Sequence, residues 1–453
     1  MKKVFLFIVL LNITFIAVSQ PVIESGELKS WPPTDTFKRV IIPNTVIKIA
    51  NYAFQGCKNI TEIIIPSSVE EMQGNPFFNC IHLKKITVDS TSSFFSSENG
   101  ILFDKSKTFL LAFPPRFDTT SYAVSTTIEG IGNFAFQGCS HLNKILIPSS
   151  VKEIGVGVFL YCYNLTDIAV DESSPEFISE DGILFDKNKT ILIKYPDNKE
   201  GNQYFIPNTV KSIAEFAFAC TKNLTDISIP NSVKFIKHNA FLNSSLHAIK
   251  IPSSVCDIES YAFQNSQNLT SVKLSNEAWP FSMNVFRLCN QLITIDLSDI
   301  NYSDDFNMNF YVDMSRKVDP KFFHPALTFY VANEKIKNTF KKSNLNAIVG
   351  KPLEFIDFYF KKNQSNIEFS ITTAPASFQS PMKERGVVVS EKPFPSTNDT
   401  KIIAEKDGEI YNITMDTSNM EPKIYYARSY VIYENLTTYS KQVSFTLEQP
   451  NNK

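Results

Sequence analysis

Through the first 300 residues, hydrophobic and polar positions follow one recurring pattern, clearest at 142–162, LNKILIPSSVKEIGVGVFLYC. Its apolar positions are Leu142, Ile145, Ile147, Val151, Ile154 and Phe159. Ile145 and Ile147 alternate, as in a short strand with one buried face. Pro148 has no N–H for a ladder, so the strand ends there. Pro148-Ser149-Ser150 predicts a turn, and residues 151–154 a second short extended piece. The stretch from Gly155 to Cys162 is too short for a regular helix and predicts a helical turn or loop. Gly155 is matched by Ala50, Gln73, Gly132, Ala214, Lys237 and Glu259 in other copies, a variety that argues against an obligatory positive φ.

The strand-ending pair Ile147-Pro148 recurs at Ile42, Ile65, Ile206, Ile229 and Ile251, each followed by Pro. Degenerate copies stand at Val88, Val124, Val170, Leu274 and Leu297. From Ile42 the steps are 23, 23, 36, 23, 23, 36, 23, 22, 23 and 23 residues, and a longer period of 82 lies over them. A fixed period of this size is the mark of a solenoid. One coil buries too few side chains to offset the entropy of ordering it, so stability has to come from stacked coils sharing a core.

The motifs IPSSVKEIGVGVFLYCYNLTDI and IPNTVKSIAEFAFACTKNLTDI resemble the BspA-type leucine-rich repeat, over about residues 40–298. The resemblance implies a right-handed solenoid with a parallel sheet along one side. It also implies a bacterial or protist surface protein that binds host proteins, glycans or other cells.

Residues 20–39, with Trp31-Pro32-Pro33, are expected to cap the first coil. The 36-residue steps contain the insertions Asn99-Gly100-Ile101-Leu102-Phe103-Asp104-Lys105 and Asp181-Gly182-Ile183-Leu184-Phe185-Asp186-Lys187, each followed by a second apolar run. Each reads as a β-hairpin around an Asp-Lys-x-Lys-Thr turn, a structural ornament or part of a binding face. The period fades over 299–350. A strand at 327–331 and a basic helix at 334–342 read as a C-terminal cap. Asp304, Asp305 and Asp313 match no calcium-loop spacing.

Beyond Gly350-Lys351-Pro352 the repeat is gone. Strands are predicted at 353–360, 366–373, 386–390, 400–405, 409–415, 424–433 and 439–447, which suggests an all-β immunoglobulin-like sandwich. Met420-Glu421-Pro422 and Tyr425-Tyr426-Ala427-Arg428-Ser429-Tyr430 resemble a fibronectin type III-like domain, with Tyr426 as its tyrosine-corner residue. The expected organisation is a signal peptide (1–19), an N-terminal cap (20–39), a leucine-rich repeat solenoid with its C-terminal cap (40–350) and a fibronectin type III-like sandwich (351–450).

Composition changes this picture little. The chain has 453 residues, 43% hydrophobic and 20% charged, with a formal net charge of −2. That balance gives no reason to expect nucleic acid as a partner. Lys2-Lys3, an apolar run over 4–18 and Ala17-Val18-Ser19 read as a secretory signal cut after Ser19, too short to span a membrane. Cys57, Cys80, Cys139, Cys162 and Cys289 lie three residues after the repeat's Phe, and Cys220 one residue early. A ladder of buried thiols explains this phase, although stacked coils could also bridge Cys57 to Cys80 or Cys139 to Cys162.

No catalytic motif stands out among the five histidines, His82, His141, His238, His247 and His324. His82 and His141 share one repeat position and read as a surface column. Sequons at Asn59, Asn164, Asn223 and Asn268 fall in one phase, so repeat consensus accounts for them without a sugar. No catalytic, cofactor-binding or metal-ligating residue is assigned, no cofactor is expected, and the binding face is left open. The chain is therefore expected to be a non-enzymatic, secreted or cell-surface adhesion protein whose solenoid binds a protein, cell or glycan. The alternatives are an envelope scaffold without a free ligand and, third, a cryptic hydrolase.

Overall fold

The computed structural model describes residues 20–33, 37–275 and 283–299. It also describes 327–331, 337–338, 346–349, 355–362, 366–373, 382–391, 395–404, 410–433, 436–440 and 443–447. The expected signal peptide, the acidic residues Asp304, Asp305 and Asp313, His324 and nearly all of the expected helix at 334–342 lie outside these residues. The chain divides into two compact units, Met1–Asn164 and Leu165–Lys453.

In the first unit the repeat strands pair in parallel. Arg39–Ile41, Glu62–Ile65 and Lys85–Val88 form one ladder, with Val40, Ile63 and Ile86 in register. Ser121–Ala123 pairs with Lys144–Ile147 in the same way. The second extended piece of each coil makes its own ladders. One runs through Leu28, Ile49 and Met72, the other through Leu110, Ile131 and Ile154. Alternation decides which face is dry: Ile63, Ile65, Ile145 and Ile147 are at most 1% exposed.

The second unit repeats the arrangement. Gln203–Phe205 pairs with Asp226–Ser228, and Ala248–Ile251, Ser271–Leu274, Thr294–Leu297, Thr328–Val331 and Asn346–Val349 form a continuous parallel sheet. The strand Asn346–Val349 carries the ladder one step past the strand at 327–331. The 22-residue step is visible as a break. Phe241 precedes Leu246 by five residues where Phe218 precedes Leu224 by six. Asp226–Ser228 and Ala248–Ile251 consequently belong to different sheets. The inner ladder through Ile213, Ile236 and Ile258 continues past this point.

A column of aromatic rings runs inside each unit. Phe54 stacks between Trp31 and Phe77 at 5.6 and 5.8 Å, and Phe136 between Phe113 and Phe159 at 4.9 and 5.6 Å. In the second unit Tyr195, Phe218, Phe241, Phe263 and Phe286 follow at 5.4, 5.0, 4.7 and 5.5 Å. Trp31 thus takes the Phe place ahead of the first full coil, and its N–H donates to Ala53 O.

Around each Phe the chain turns twice without forming a helix, as the short stretch predicts. Backbone with positive φ occurs two residues before the Phe, at Tyr52, Phe134, Gly157, Phe216, Asn239 and Tyr261. It recurs two residues after, at Gly56, Asn79, Gly138, Tyr161, Cys220, Asn243, Asn265 and Leu288. Bulky residues there carry strain, which cross-coil bonds such as Phe54 N–H to Pro76 O and Phe136 N–H to Val158 O hold in place. Gly155 has no positive φ, in line with the variety at its position. Gly157 has φ +62° and a second constraint, because a Cβ there would lie 2.3 Å from the Phe134 ring.

Each insertion is a three-stranded antiparallel meander. The hairpin strands Ile101–Asp104 and Phe109–Ala112 are preceded by Phe95–Glu98, and Ile183–Asp186 and Ile191–Lys194 by Phe177–Glu180. Asn99-Gly100 and Asp181-Gly182 form the first turns, all four residues with positive φ, as a two-residue hairpin loop requires. Partial burial raises the Asp104 carboxyl. The Ser106 and Thr108 hydroxyls and the Phe109 and Thr108 N–H groups more than offset this and hold it below the usual range. The two meanders share their bonds down to Lys107–Glu98 and Lys189–Glu180, at 2.7 and 2.9 Å.

The last strands form two antiparallel sheets. One joins Phe355–Lys362, Asn366–Thr373 and Ile410–Asp416. The other joins Thr400–Ile403, Met382–Ser390, Ile424–Tyr433 and Leu436–Tyr439, with Val443–Thr446 also on Ile424–Tyr433. Ile367, Phe369 and Ile413 of the first share one core with Val387, Tyr425 and Phe445 of the second. Two expectations are corrected. The strand predicted at 439–447 is two strands, broken around Ser440, which turns its hydroxyl and carbonyl to Ser429 N–H and Arg428 Nε. The upstream hydroxyl bond expected of Tyr426 is made by Tyr425, whose OH donates to Glu421 O at 3.3 Å. Alternation is the reason: Tyr425 and Ala427 face the core and Tyr426 lies on the other side of the strand.

Candidate binding surfaces

The residue before each strand-ending Ile points away from the core. In the first unit this outer row reads Ile41, Ile64, Thr87, Ala123 and Leu146; in the second it reads Ala169, Phe205, Ser228, Lys250 and Lys273, and Asp296 at the same place in the last coil is buried. Ile41 and Phe205 are 61% and 65% exposed, the highest values among the large hydrophobic side chains described. Two positions earlier, Glu62 lies 3.2 Å from Arg39 and 3.5 Å from Lys85. Such exposed pairs are worth about 0–1 kcal/mol each and settle charge pattern more than stability. Beside Phe205 a shallow depression of ≈ 580 Å³ is lined by Pro207, Asn208, Ser228, Pro230 and Asn231.

His82 and His141, which the sequence places in one column, line a second depression of ≈ 560 Å³ together with Lys84, Arg116, Phe117, Asp118, Thr119 and Thr120. Arg116 stands between them. Its Nε donates to Ile81 O at 3.2 Å and its Nη1 contacts His141 Nε2. Sequence reasoning missed this grouping because Arg116 sits in an irregular stretch between the insertion and the next coil. Its signal was that Asn, the usual residue at the repeat position of His82 and His141, is replaced in both.

All seven cysteines are thiols, six buried and Cys256 exposed. The Sγ atoms of Cys80, Cys162 and Cys289 donate to Phe54 O, Phe136 O and Phe263 O, each in the preceding coil, at 3.0–3.1 Å. Ser266 takes the same place with a 2.8 Å bond to Phe241 O. Burial pushes the Cys80 and Cys139 thiols far above their ordinary range and Cys289 up to about 12. The thiolate is the reactive form. At pH 8 a chromogenic thiol reagent should therefore titrate one group, Cys256, in the native protein and seven after denaturation without reductant. Fewer than seven in the denatured protein would reveal a bridge.

Two of the four sequon asparagines have their amides bonded. Asn164 Nδ2 donates to Ser140 O at 2.7 Å and Asn223 Nδ2 to Lys199 O at 3.0 Å, so the repeat uses this amide to fasten one coil to the one before. His238 packs edge-on against Tyr261 and its N–H donates to Glu259. Asp197 is a carboxyl raised by burial, opposed by the charge of Lys194. It is fully buried and lies 2.7 Å from Lys194 Nζ. Among the described residues no group of three or more His, Cys, Asp or Glu is placed to hold a metal ion, and no helix is long and apolar enough to cross a membrane.

The chain is similar to a leucine-rich repeat protein of Eubacterium ventriosum (23% identity, 63% of this chain and 77% of that one, TM-score 0.45). It is also similar to the pneumococcal vaccine antigen PcpA (22%, 72% and 84%, TM-score 0.39). A third similarity is to a leucine rich cell surface protein of Faecalibacterium prausnitzii (21%, 64% and 95%, TM-score 0.35). No curated protein matches. The BspA type leucine rich repeat region matches in six copies, over residues 32–109, 111–191 and 195–309. With the parallel ladders, the aromatic column and this match over more than half its length, the chain belongs to the BspA type leucine rich repeat family.

Proposed function

We propose that this is an exported cell-surface or secreted adhesion protein that recognises a host protein, cell or glycan through the outer face of its repeats. The observation that carries this reading is the outer row. The strands turn one row toward the core and leave Ile41 and Leu146 in the first unit and Phe205 in the second in water. In each unit an exposed apolar side chain of this row, Ile41 and Leu146 in the first and Phe205 in the second, is a candidate contact for a partner. No described strand needs Phe205 there, since Ser228 and Lys250 hold the same place in later coils. The leader at 1–19, cut after Ser19, delivers the chain outside the cell.

The C-terminal strands are read as a fibronectin type III-like module that spaces the repeats or adds a second contact. The shared core of its two sheets and the Tyr425–Glu421 bond support this.

The test is capture of purified residues 20–453 on a panel of matrix proteins and glycans. Ile41→Thr/Phe205→Ser, which borrows the residues of neighbouring coils, should weaken capture at least tenfold with little change in melting temperature. Capture by no member of the panel, or equal capture by the variant, removes the outer row as the ligand face.

A further inference from the structure

We propose that the depression between His82, Lys84, Arg116 and His141 is a binding site for an acidic saccharide, taking its carboxylate or sulfate between the cationic and imidazole groups. The site rests on the adhesion reading above and names one ligand class for it.

Its chemistry is one-sided. Lys84 and Arg116 bring two basic side chains, two imidazoles stand with them, and Asp118 is the one carboxylate among the eight lining residues. Arg has no acceptor atom, so His141 Nε2 receives the Arg116 contact and Nδ1 remains as the ring's donor. The bond from Arg116 Nε to Ile81 O and the Nη1 contact with His141 pin the guanidinium, and its Nη2 N–H groups remain to donate to a carboxylate or sulfate oxygen. Phe117 lines the same depression half-buried, its ring tilted against Phe113 at 4.8 Å, and offers an apolar face to a pyranose. A volume of ≈ 560 Å³ lies in the range of small-ligand sites.

The internal repeat supplies a control. Eighty-two residues on, the matching positions hold Asn164, Thr166, Asn198, Lys199 and Asn223. The backbone framework is the same there: Arg116 N–H donates to Leu83 O, and Asn198 N–H to Leu165 O, both at 2.9 Å. Asn223 ties its amide to Lys199 O, and Lys199 reaches Asp181 at 2.9 Å. The fold at this corner is therefore built without a cation at the Arg116 position and without imidazoles. The basic set in the first copy is an addition that the coil does not require.

Calorimetry on residues 20–453 should use a uronic-acid disaccharide, a sulfated disaccharide, the uncharged disaccharide of the same ring, and inorganic sulfate. At least one acidic disaccharide should bind, roughly tenfold or more tighter than the neutral sugar and than sulfate, and whichever arm binds identifies the acidic group. Arg116→Asn/His141→Asn, the residues of the second copy, should lower that affinity at least tenfold with the melting temperature unchanged. Lys84→Thr, at an exposed position, supplies the same comparison should the double variant fold poorly. Equal binding of the neutral sugar, equal binding of inorganic sulfate (an adventitious ion only), or unchanged affinity in both variants overturns the site. If the acidic sugars fail while a panel ligand is still captured through Phe205, the site falls and the outer row stands.

Discussion

Phe241→Ala should destabilise the protein by about 3–5 kcal/mol, as removal of a fully buried ring does. Phe241 is 0% exposed and lies 5.0 Å from Phe218 and 4.7 Å from Phe263, with ring planes within 4° and 2° of parallel. Truncation removes both stacking contacts at once and leaves a void that neighbouring coils cannot fill, because the inner ladder through Ile213, Ile236 and Ile258 holds their spacing. Each coil depends on contact with its neighbours, so loss at one site spreads to the coils beside it. Urea unfolding read by far-UV circular dichroism should show a lower midpoint. Phe205→Ser, on the outer face, should stay within about 0.5 kcal/mol of the parent. A midpoint for Phe241→Ala as high as that of Phe205→Ser would mean that the rings do not form a shared core.

The second large effect concerns Lys194 and Asp197, which are 5% and 0% exposed and 2.7 Å apart. Lys194 Nζ also donates to Ala219 O at 3.1 Å. Lys194→Ala alone strands a buried carboxylate and should cost about 3–5 kcal/mol. The first copy of the 82-residue period holds Ala112 and Pro115 at these two places, so its fold manages without the pair. Lys194→Ala/Asp197→Pro should consequently recover most of the loss, since replacing both charges removes the desolvation penalty along with the attraction. A double variant no more stable than Lys194→Ala would show that the pair does more than neutralise itself.

The period, the strand positions and the buried rows were legible because each coil repeats the same physical problem. A strand face, a Pro and a Phe recur at fixed distances, and errors in one copy are corrected by the others. Where a feature occurs once or twice, the sequence was less clear. The first strand of each meander was missed although Asn99-Gly100 and Asp181-Gly182 are strong two-residue turn signals. Phe95–Glu98 and Phe177–Glu180 are too polar to stand out as strands. Tyr425 and Tyr426 are adjacent, and only the strand's phase decides which reaches Glu421. The basic depression needed Arg116, brought between two histidines by the stacking of coils and by no local spacing. The outer row could be listed from the repeat, but its exposure followed only from seeing which faces the coils cover.

The 22-residue coil shows where this architecture tolerates a change of length. Losing one residue between Phe241 and Leu246 parts the outer sheet at Asp226–Ser228, yet the ring pair beside it is the tightest in the column, 4.7 Å and 2°. Slack is thus absorbed at the rim and never reaches the spine. Loop grafts or epitope insertions placed after the Phe should follow the same division, re-aiming the exterior of one coil while the stack beneath keeps its pitch.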